Sequence, residues 1–340
     1  MQAIIPLAGK GTRVRPHTHS RPKPLLRVAN RPVLSYVVET LAEHGVDEII
    51  AITGHLAPQI EEYLAAEHGD VAVRFVEQVE QRGTADAIGL AEPYVDGPVL
   101  ILFVDTLFDA DFDLIASRPQ DDGIIWAKEV EDYQRYGVVV TDEDGYMTRI
   151  VEKPTEPISK LANIGVYFVR DHGLMFEGIH HVMDQDPHLG EYFLTDAFQY
   201  MIDRSARLYT AEVEGWFDVG KPETWLETNR VMLERGFGGR PEIPASVTLE
   251  GPVGIDPSSE VEDARLGPNV SIAEQSRVAR SRVRNTIIGA HSVVEDCVLA
   301  DSIVGDHTVL RGVEGEVTLG DHSEVVGYPV DRESQESDGA

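Results

Sequence analysis

The stretch Gln2-Ala3-Ile4-Ile5-Pro6-Leu7-Ala8-Gly9-Lys10-Gly11-Thr12-Arg13 runs from a short apolar strand straight into a glycine-rich turn. Glycines at 9 and 11 let backbone N–H groups approach phosphate oxygens, and Thr12 and Arg13 add a hydroxyl donor and a positive charge. The spacing is neither G-x-x-x-x-G-K-[ST] nor G-x-G-x-x-G, so a P-loop ATPase and a nicotinamide-binding domain are disfavoured. A turn without a ligand is the alternative that this loop alone leaves open.

Outward from that turn, strand-like and helix-like segments alternate up to residue 104. Val33 to His44 carries apolar residues at 33, 34, 37, 38 and 41, one face of a helix, and Gly45 is a stop. Glu48 to Thr53 reads as a strand, Ala57 to Ala66 as a helix, Val71 to Val76 as a strand and Thr84 to Leu90 as a helix, before the apolar run Val99 to Val104. That rhythm predicts a parallel sheet buried on both faces, with ligands bound beyond the strands' C-terminal ends, where the loop after Ala8 and Asp105 fall. Strands at Gly137 to Thr141 and Ile164 to Val169 and helices near 173–183 and 195–203 follow, and Trp225 to Arg235 reads as the last helix of a first domain, residues 1–238. Residues 239–245, rich in Gly and Pro, read as a linker.

Beyond the linker the period changes. Leu266, Ile272 and Val278, then Ile288 and Val294, Val304 and Leu310, and Leu319 and Val325 recur at intervals of six, and Gly follows Leu266, Ile288, Val304 and Leu319. Ile288-Gly289-Ala290-His291 is matched by Val304-Gly305-Asp306-His307 and Leu319-Gly320-Asp321-His322. This predicts a hexapeptide-repeat parallel β-helix over 246–330, each coil burying its aliphatic residues against the next, and an acidic tail at 331–340. His291, His307 and His322 repeat with the coil, which favours a turn role over that of an acyltransferase base. Cys297 is the sole cysteine, so no intrachain disulfide forms, and a small buried hydrophobe is its expected role.

The chain has 340 residues, with 59 acidic and 29 basic side chains and a net charge of −30. Nucleic acid and anionic membrane surfaces are disfavoured partners. No apolar run approaches the ~20 residues of a membrane span and the first residues lack a leader pattern, so the cytoplasm is the expected compartment. An acid-rich chain with only 6 lysines also fits a high-salt interior, where self-repulsion is screened. Against this background residues 1–38 hold no Asp or Glu, yet carry Lys10, Arg13, Arg15, Arg21, Lys23, Arg27 and Arg31. A basic region kept for an anionic ligand is one explanation, and a basic face paired with acidic neighbours is the other.

Pro6 to Pro16, continuing through Arg21-Pro22-Lys23-Pro24-Leu25-Leu26 and Arg31-Pro32-Val33-Leu34, resembles the signature of the sugar-1-phosphate nucleotidyltransferases. Gln78-Val79-Glu80-Gln81-Arg82-Gly83-Thr84-Ala85, Asp105, Tyr136-Gly137-Val138-Val139, Val151-Glu152-Lys153-Pro154, Asn163-Ile164-Gly165 and Trp216-Phe217-Asp218-Val219-Gly220 match the same pattern in order. Val104 departs from it, since the family usually has Gly before the aspartate. The resemblance covers nearly the whole chain and implies an α/β fold: a Rossmann-like, mixed but mainly parallel sheet, then a left-handed parallel β-helix as in the family's long forms.

The resemblance also implies a site. Nucleotide contacts fall to Leu7, Ala8, Gly9, Gly11, Thr12, Gln78, Gly83 and Thr84, with the Gln78 amide and Gly83 backbone reading a thymine or uracil. Arg13 and Lys23 are the implied catalytic cations, Asp105 and Asp218 the Mg²⁺ ligands, and Gly137, Glu152, Lys153 and Asn163 the sugar-phosphate contacts. Taken singly, Gln78 reads as a surface amide, each aspartate as a cap or turn, and Glu152-Lys153 as a solvated pair. His17 and His19, inside the signature, are expected on the surface. The implied reaction joins a sugar 1-phosphate to a nucleotidyl group from dTTP or UTP and releases pyrophosphate, with glucose 1-phosphate the favoured acceptor and a homo-oligomer the expected assembly. Another sugar with GTP, as in mannose-1-phosphate guanylyltransferases, and a non-catalytic subunit that binds nucleotide sugar are the alternatives.

Overall fold

A computed structural model describes residues 1–239 and 242–327. Most of the expected linker is therefore described, whereas its residues 240 and 241, the last three positions of the expected β-helix and the whole expected tail, 331–340, lie outside the described residues. Among the described residues no helix is long and apolar enough to cross a membrane.

The chain forms two compact units. The first comprises Met1–Gly11, Arg21–Leu25 and Val33–Asp218. Its sheet runs in the order Met147–Glu152, Gly137–Thr141, Leu161–Val169, Val99–Leu102, Gln2–Pro6, Glu48–Thr53, Ala72–Glu77, with Gly123–Glu129 and Leu208–Glu212 joined on through Leu161–Val169. Gln2–Pro6 pairs in parallel with both Glu48–Thr53 and Val99–Leu102, and Glu48–Thr53 in parallel with Ala72–Glu77. The middle positions of the central strands are apolar because both faces are covered, so Ile4, Ile50 and Ile101 have no exposure at all. Ala72–Glu77 lies at the edge, and its Phe75 is exposed.

Leu161–Val169 pairs antiparallel with all three of its partners, while Leu208–Glu212 joins Gly123–Glu129 in parallel, which makes the sheet mixed. Between Asn163 and Val166 the register with Gly123–Glu129 shifts, and Gly165 takes a left-handed φ of +79° there. A bulge of this kind re-aims the side chains beside it. Helix Val33–Glu43 buries Val33, Leu34, Val37, Val38 and Leu41, the stripe that the spacing predicts. It ends where Gly45 turns left-handed and the Val46 N–H donates to the Leu41 carbonyl.

The second unit comprises Thr12–Ser20, Leu26–Pro32 and Val219 onward. It does not follow chain order, nor does it begin at the Gly-Pro stretch. Helix Pro222–Glu234 belongs to it because its Trp225 Nε1 donates to the Arg27 carbonyl at 2.7 Å, while Asn229 accepts from the Ala29 N–H at 2.8 Å and from the Ser271 hydroxyl at 3.0 Å. The parallel β-helix has three strand faces. On one, Glu260, Arg277, Val293, Val309 and Glu324 succeed one another in register. Leu266, Ile272, Val278, Ile288, Val294, Val304 and Leu310 are buried inside, and Leu319 and Val325 pack against them.

The corners explain the repeat. Gln275, His291, His307 and His322 all take left-handed φ values, between +53° and +60°. The three histidines are exposed and stack, His291 on His307 at 4.6 Å and His307 on His322 at 4.9 Å, so their turn role holds. Cys297 is buried, as expected, and its thiol replaces a hydroxyl in a ladder between coils: the Cys297 N–H donates to Ser281 Oγ at 3.0 Å and its sulfur accepts from the Val313 N–H. His19 is exposed. His17 is not the surface residue expected, since Trp225 covers it edge-on at 5.1 Å and leaves it 3% exposed.

Candidate active site

The glycine-rich turn leaves the sheet at the C-terminal end of Gln2–Pro6, where the parallel topology opens a crevice. Leu7 and Ala8 are buried, and the Leu7 N–H donates to the Ile52 carbonyl at 2.7 Å. Gln81 donates its amide N–H to the Ala8 carbonyl, a support that the sequence pattern does not flag. Gly9 is exposed with open space at its Cβ position, and Gly11 takes φ +58°. Thr12 and Arg13 sit on a short 3-10 helix, Thr12–Val14, that belongs to the second unit. Among the described residues Lys10, Arg13 and Arg15 form no ion pair, although the chain is strongly acidic. Arg27 and Lys23 do pair with carboxylates, so part of the basic window is a face matched to acidic neighbours.

Gln78 is 6% exposed, not a surface amide. Its Nε2 donates to Asp86 Oδ2 at 2.8 Å and lies 3.4 Å from the Gly83 carbonyl. Arg82 holds the other oxygen of Asp86 through Nε at 3.1 Å and Nη2 at 2.6 Å. A carboxylate only accepts, so the Gln78 amide has one orientation, with Oε1 as its uncommitted acceptor. Gly83 has φ +129°, and a Cβ there would stand 2.3 Å from the Tyr192 carbonyl oxygen. The Thr84 hydroxyl accepts from the Leu194 N–H at 2.9 Å, which ties this loop to helix Leu194–Asp203.

Asp105 follows the buried strand Val99–Leu102 and is within ion-pair reach of Lys23, Nζ to Oδ2 3.2 Å. Trp216–Asp218 pairs antiparallel with Thr106–Phe108 so that Asp218 stands opposite Thr106, the residue after Asp105. Lys23 and Asp105 thus share one wall, and Asp218 stands one register position away.

Gly137, Glu152, Lys153 and Asn163 come together on another. A Cβ at Gly137 would meet Asn163 Nδ2 at 2.2 Å, Thr195 Cγ2 at 2.7 Å and Glu152 Oε2 at 3.0 Å, so only glycine fits. Asn163 donates to the Gly137 carbonyl at 2.8 Å and accepts from the Tyr167 hydroxyl, which leaves one amide N–H for a ligand. Burial raises the Tyr167 hydroxyl above its ordinary range, helped by the charges of Glu152 and Asp105, so it stays a donor. Thr195 donates to Glu152 Oε2 at 3.1 Å. Burial also raises the Glu152 carboxyl, with Lys153 and the Thr195 hydroxyl opposing. Lys153 has a left-handed φ of +44°, and its Nζ stands 3.7 Å from Glu152 and 4.7 Å above the Phe193 ring. Thr195, Phe193 and Tyr167 carry no local signal in the sequence, because they reach the site only through tertiary packing.

The sequence pattern described as nucleotidyl transferase matches residues 2–235. A nucleotidyltransferase of low-salt glycan biosynthesis from Haloferax volcanii is 33% identical, covering 90% of this chain and 92% of its own. A glucose-1-phosphate thymidylyltransferase from Streptomyces antibioticus is 28% identical over 96% of this chain and 99% of its own. A UDP-glucose pyrophosphorylase solved in complex with UDP-glucose shares the fold, with a TM-score of 0.61 at 23% identity, over 69% of this chain and 98% of that one. With the glycine-rich turn, the Gln78–Gly83 loop and the Lys23–Asp105 pair in place on such a sheet, the chain belongs to the nucleotidyl transferase family.

Proposed function

We propose that the protein transfers a thymidylyl or uridylyl group from dTTP or UTP to glucose 1-phosphate and releases pyrophosphate. The observation that carries this reading is the occurrence in one sheet domain of a Lys23–Asp105 pair at 3.2 Å and of a close cluster of Asn163, Thr195 and Glu152 around Gly137. The first suits a phosphate and its counter-ion, and the second suits sugar hydroxyls. The fixed Gln78 amide supports the base assignment, because an uncommitted acceptor suits the N3–H of uracil or thymine.

In the reaction a phosphate oxygen of the sugar phosphate attacks the α-phosphorus, the bond from that phosphorus to the α,β-bridging oxygen breaks, and pyrophosphate departs with the electron pair. The attacking phosphate is already ionised at neutral pH, so no base is required. The protein's work is to align two anions and offset the charge that gathers between them. In this reading Lys23 holds the α-phosphate, Arg13 the β,γ-phosphates and Lys153 the sugar phosphate. Asp105 and Asp218, hard oxygen donors one register position apart, would hold Mg²⁺ together with the nucleotide phosphates. Mg²⁺ bound there supplies neutralisation of the triphosphate. The same reading puts the protein in the cytoplasm, where both substrates are available, and in a homo-oligomer, which sedimentation checks.

The test is pyrophosphate release over five nucleoside triphosphates, dTTP included, against several sugar 1-phosphates with Mg²⁺. Turnover is expected with dTTP or UTP and glucose 1-phosphate, and Arg13→Ala and Lys23→Ala are each expected to reduce it by about 10²-fold or more. Absence of pyrophosphate with every pair would refute the reading, and near-normal activity in both variants would remove the two cations from their roles.

A further inference from the structure

The acid-free window and the Gly-Asp-His repeats meet at one corner of the β-helix. Asp306 Oδ1 accepts from the Ala290 N–H at 3.0 Å, and Asp321 Oδ1 accepts from the Asp306 N–H at 2.8 Å, so each carboxylate ties its coil to the preceding one. Both also reach the signature loop. Arg27 Nη1 donates to Oδ1 and Oδ2 of Asp306 at 3.0 and 2.8 Å, Arg27 Nη2 donates to Glu274, and Ser20 Oγ donates to Asp321 Oδ2 at 2.8 Å. Pro16 lies against Gly320, 3.2 Å from where a Cβ would stand.

The pair is largely out of water, with the Arg27 side chain 16% exposed and that of Asp306 10%. Burial disfavours the Arg27 charge, and the charges of Asp306 and Glu274 more than offset this. Removing one partner leaves the other charged and unmatched, so the loop must shift to rehydrate it. These contacts fall at Pro16, Ser20 and Arg27, just after the turn that bears Arg13. A pair serving only the stability of the β-helix would have no need to engage this segment.

We propose that Arg27 and Asp306 are positioning residues for nucleotidyl transfer: the corner formed by Glu274, Asp306 and Asp321 fixes the course of the signature loop and so presents Arg13 in a single conformation. This rests on the reading above that the loop handles the triphosphate. A small misplacement of a catalytic group costs up to about 10²-fold in rate.

The test uses the full chain with Arg27→Gln, Asp306→Asn and the double variant. Asn at 306 keeps an oxygen for the Ala290 N–H, so the coil is preserved. Each single change is expected to lower kcat/KM for the nucleoside triphosphate on the order of tenfold, with KM for the sugar phosphate within about twofold, and the double to cost no more than the worse single. Arg27→Lys, which keeps the charge without the fork, is expected to recover part of the loss. Amide hydrogen exchange is expected to quicken over 12–20 and to stay unchanged over 48–53. Wild-type kinetics in both singles, losses that multiply in the double, or slowed turnover with unaltered exchange at 12–20 would each overturn the proposal. If the unaltered protein releases no pyrophosphate, the functional reading fails instead, and unaltered exchange in the variants still decides against the brace.

Discussion

Glu152 shows how one side chain's surroundings set its use. Its carboxyl is mostly buried, so the charged form is disfavoured and the group binds a proton more firmly in the folded protein than in the unfolded chain. The unfolded carboxyl ionises first as pH rises, and the folded one only at a higher pH. Stability conferred at low pH is therefore lost between the ordinary carboxyl value and the raised one, and above both the penalty is constant. Glu152→Gln is expected to be more stable than the parent at pH 7–8, with the advantage shrinking toward pH 4, as measured by urea unfolding across that range. A midpoint difference that does not vary with pH would show that the burial has no such effect. The residue types of this wall were legible in the sequence, since Glu152, Lys153 and Asn163 stand within the family pattern. What holds them was not: Thr195 and Tyr167 meet them only after the helix and the strand have packed.

Among the elements, the helices and inner strands were readable because their signal is local. The stripe from Val33 to Leu41 and the six-residue interval of the β-helix both survive as buried faces. The bulge at 163–165 and the antiparallel strands around it carry no such local period, which is why a parallel rhythm alone does not yield the mixed sheet. In the β-helix the glycines after Ile288 and Val304 are explained by coil spacing. A Cβ on Gly305 would lie 2.5 Å from the Asp321 nitrogen and 2.6 Å from the Gly320 carbonyl carbon, both backbone atoms that cannot swing aside. Gly305→Ala is therefore expected to destabilise the protein by about 1–3 kcal/mol, from forced overpacking. Chemical denaturation of the full chain checks this, and an unchanged midpoint would mean that the coils tolerate separation. Outside, Arg277 bridges Glu260, Glu262 and Glu295 across successive coils, so this face is laced with charge pairs.

Over the whole molecule, 59 acidic groups against 29 basic ones produce a self-repulsion that salt relieves. The screening length falls from about 10 Å at 0.1 M to about 3 Å at 1 M. The melting temperature is expected to rise between those concentrations of KCl, and a fall would show that the exposed ion pairs outweigh the repulsion. Charge balance of this kind is plain in the sequence, whereas the grouping of the signature loop with the β-helix is not, because its partners are so remote. Ser20 and Asp321 are separated by 301 residues and Arg27 and Asp306 by 279. During synthesis the loop therefore leaves the ribosome long before the coils that grip it have been translated. A nascent chain halted short of Asp306 would already hold every strand of its sheet, yet Arg27 and Ser20 would still await the carboxylates that the last coils bring.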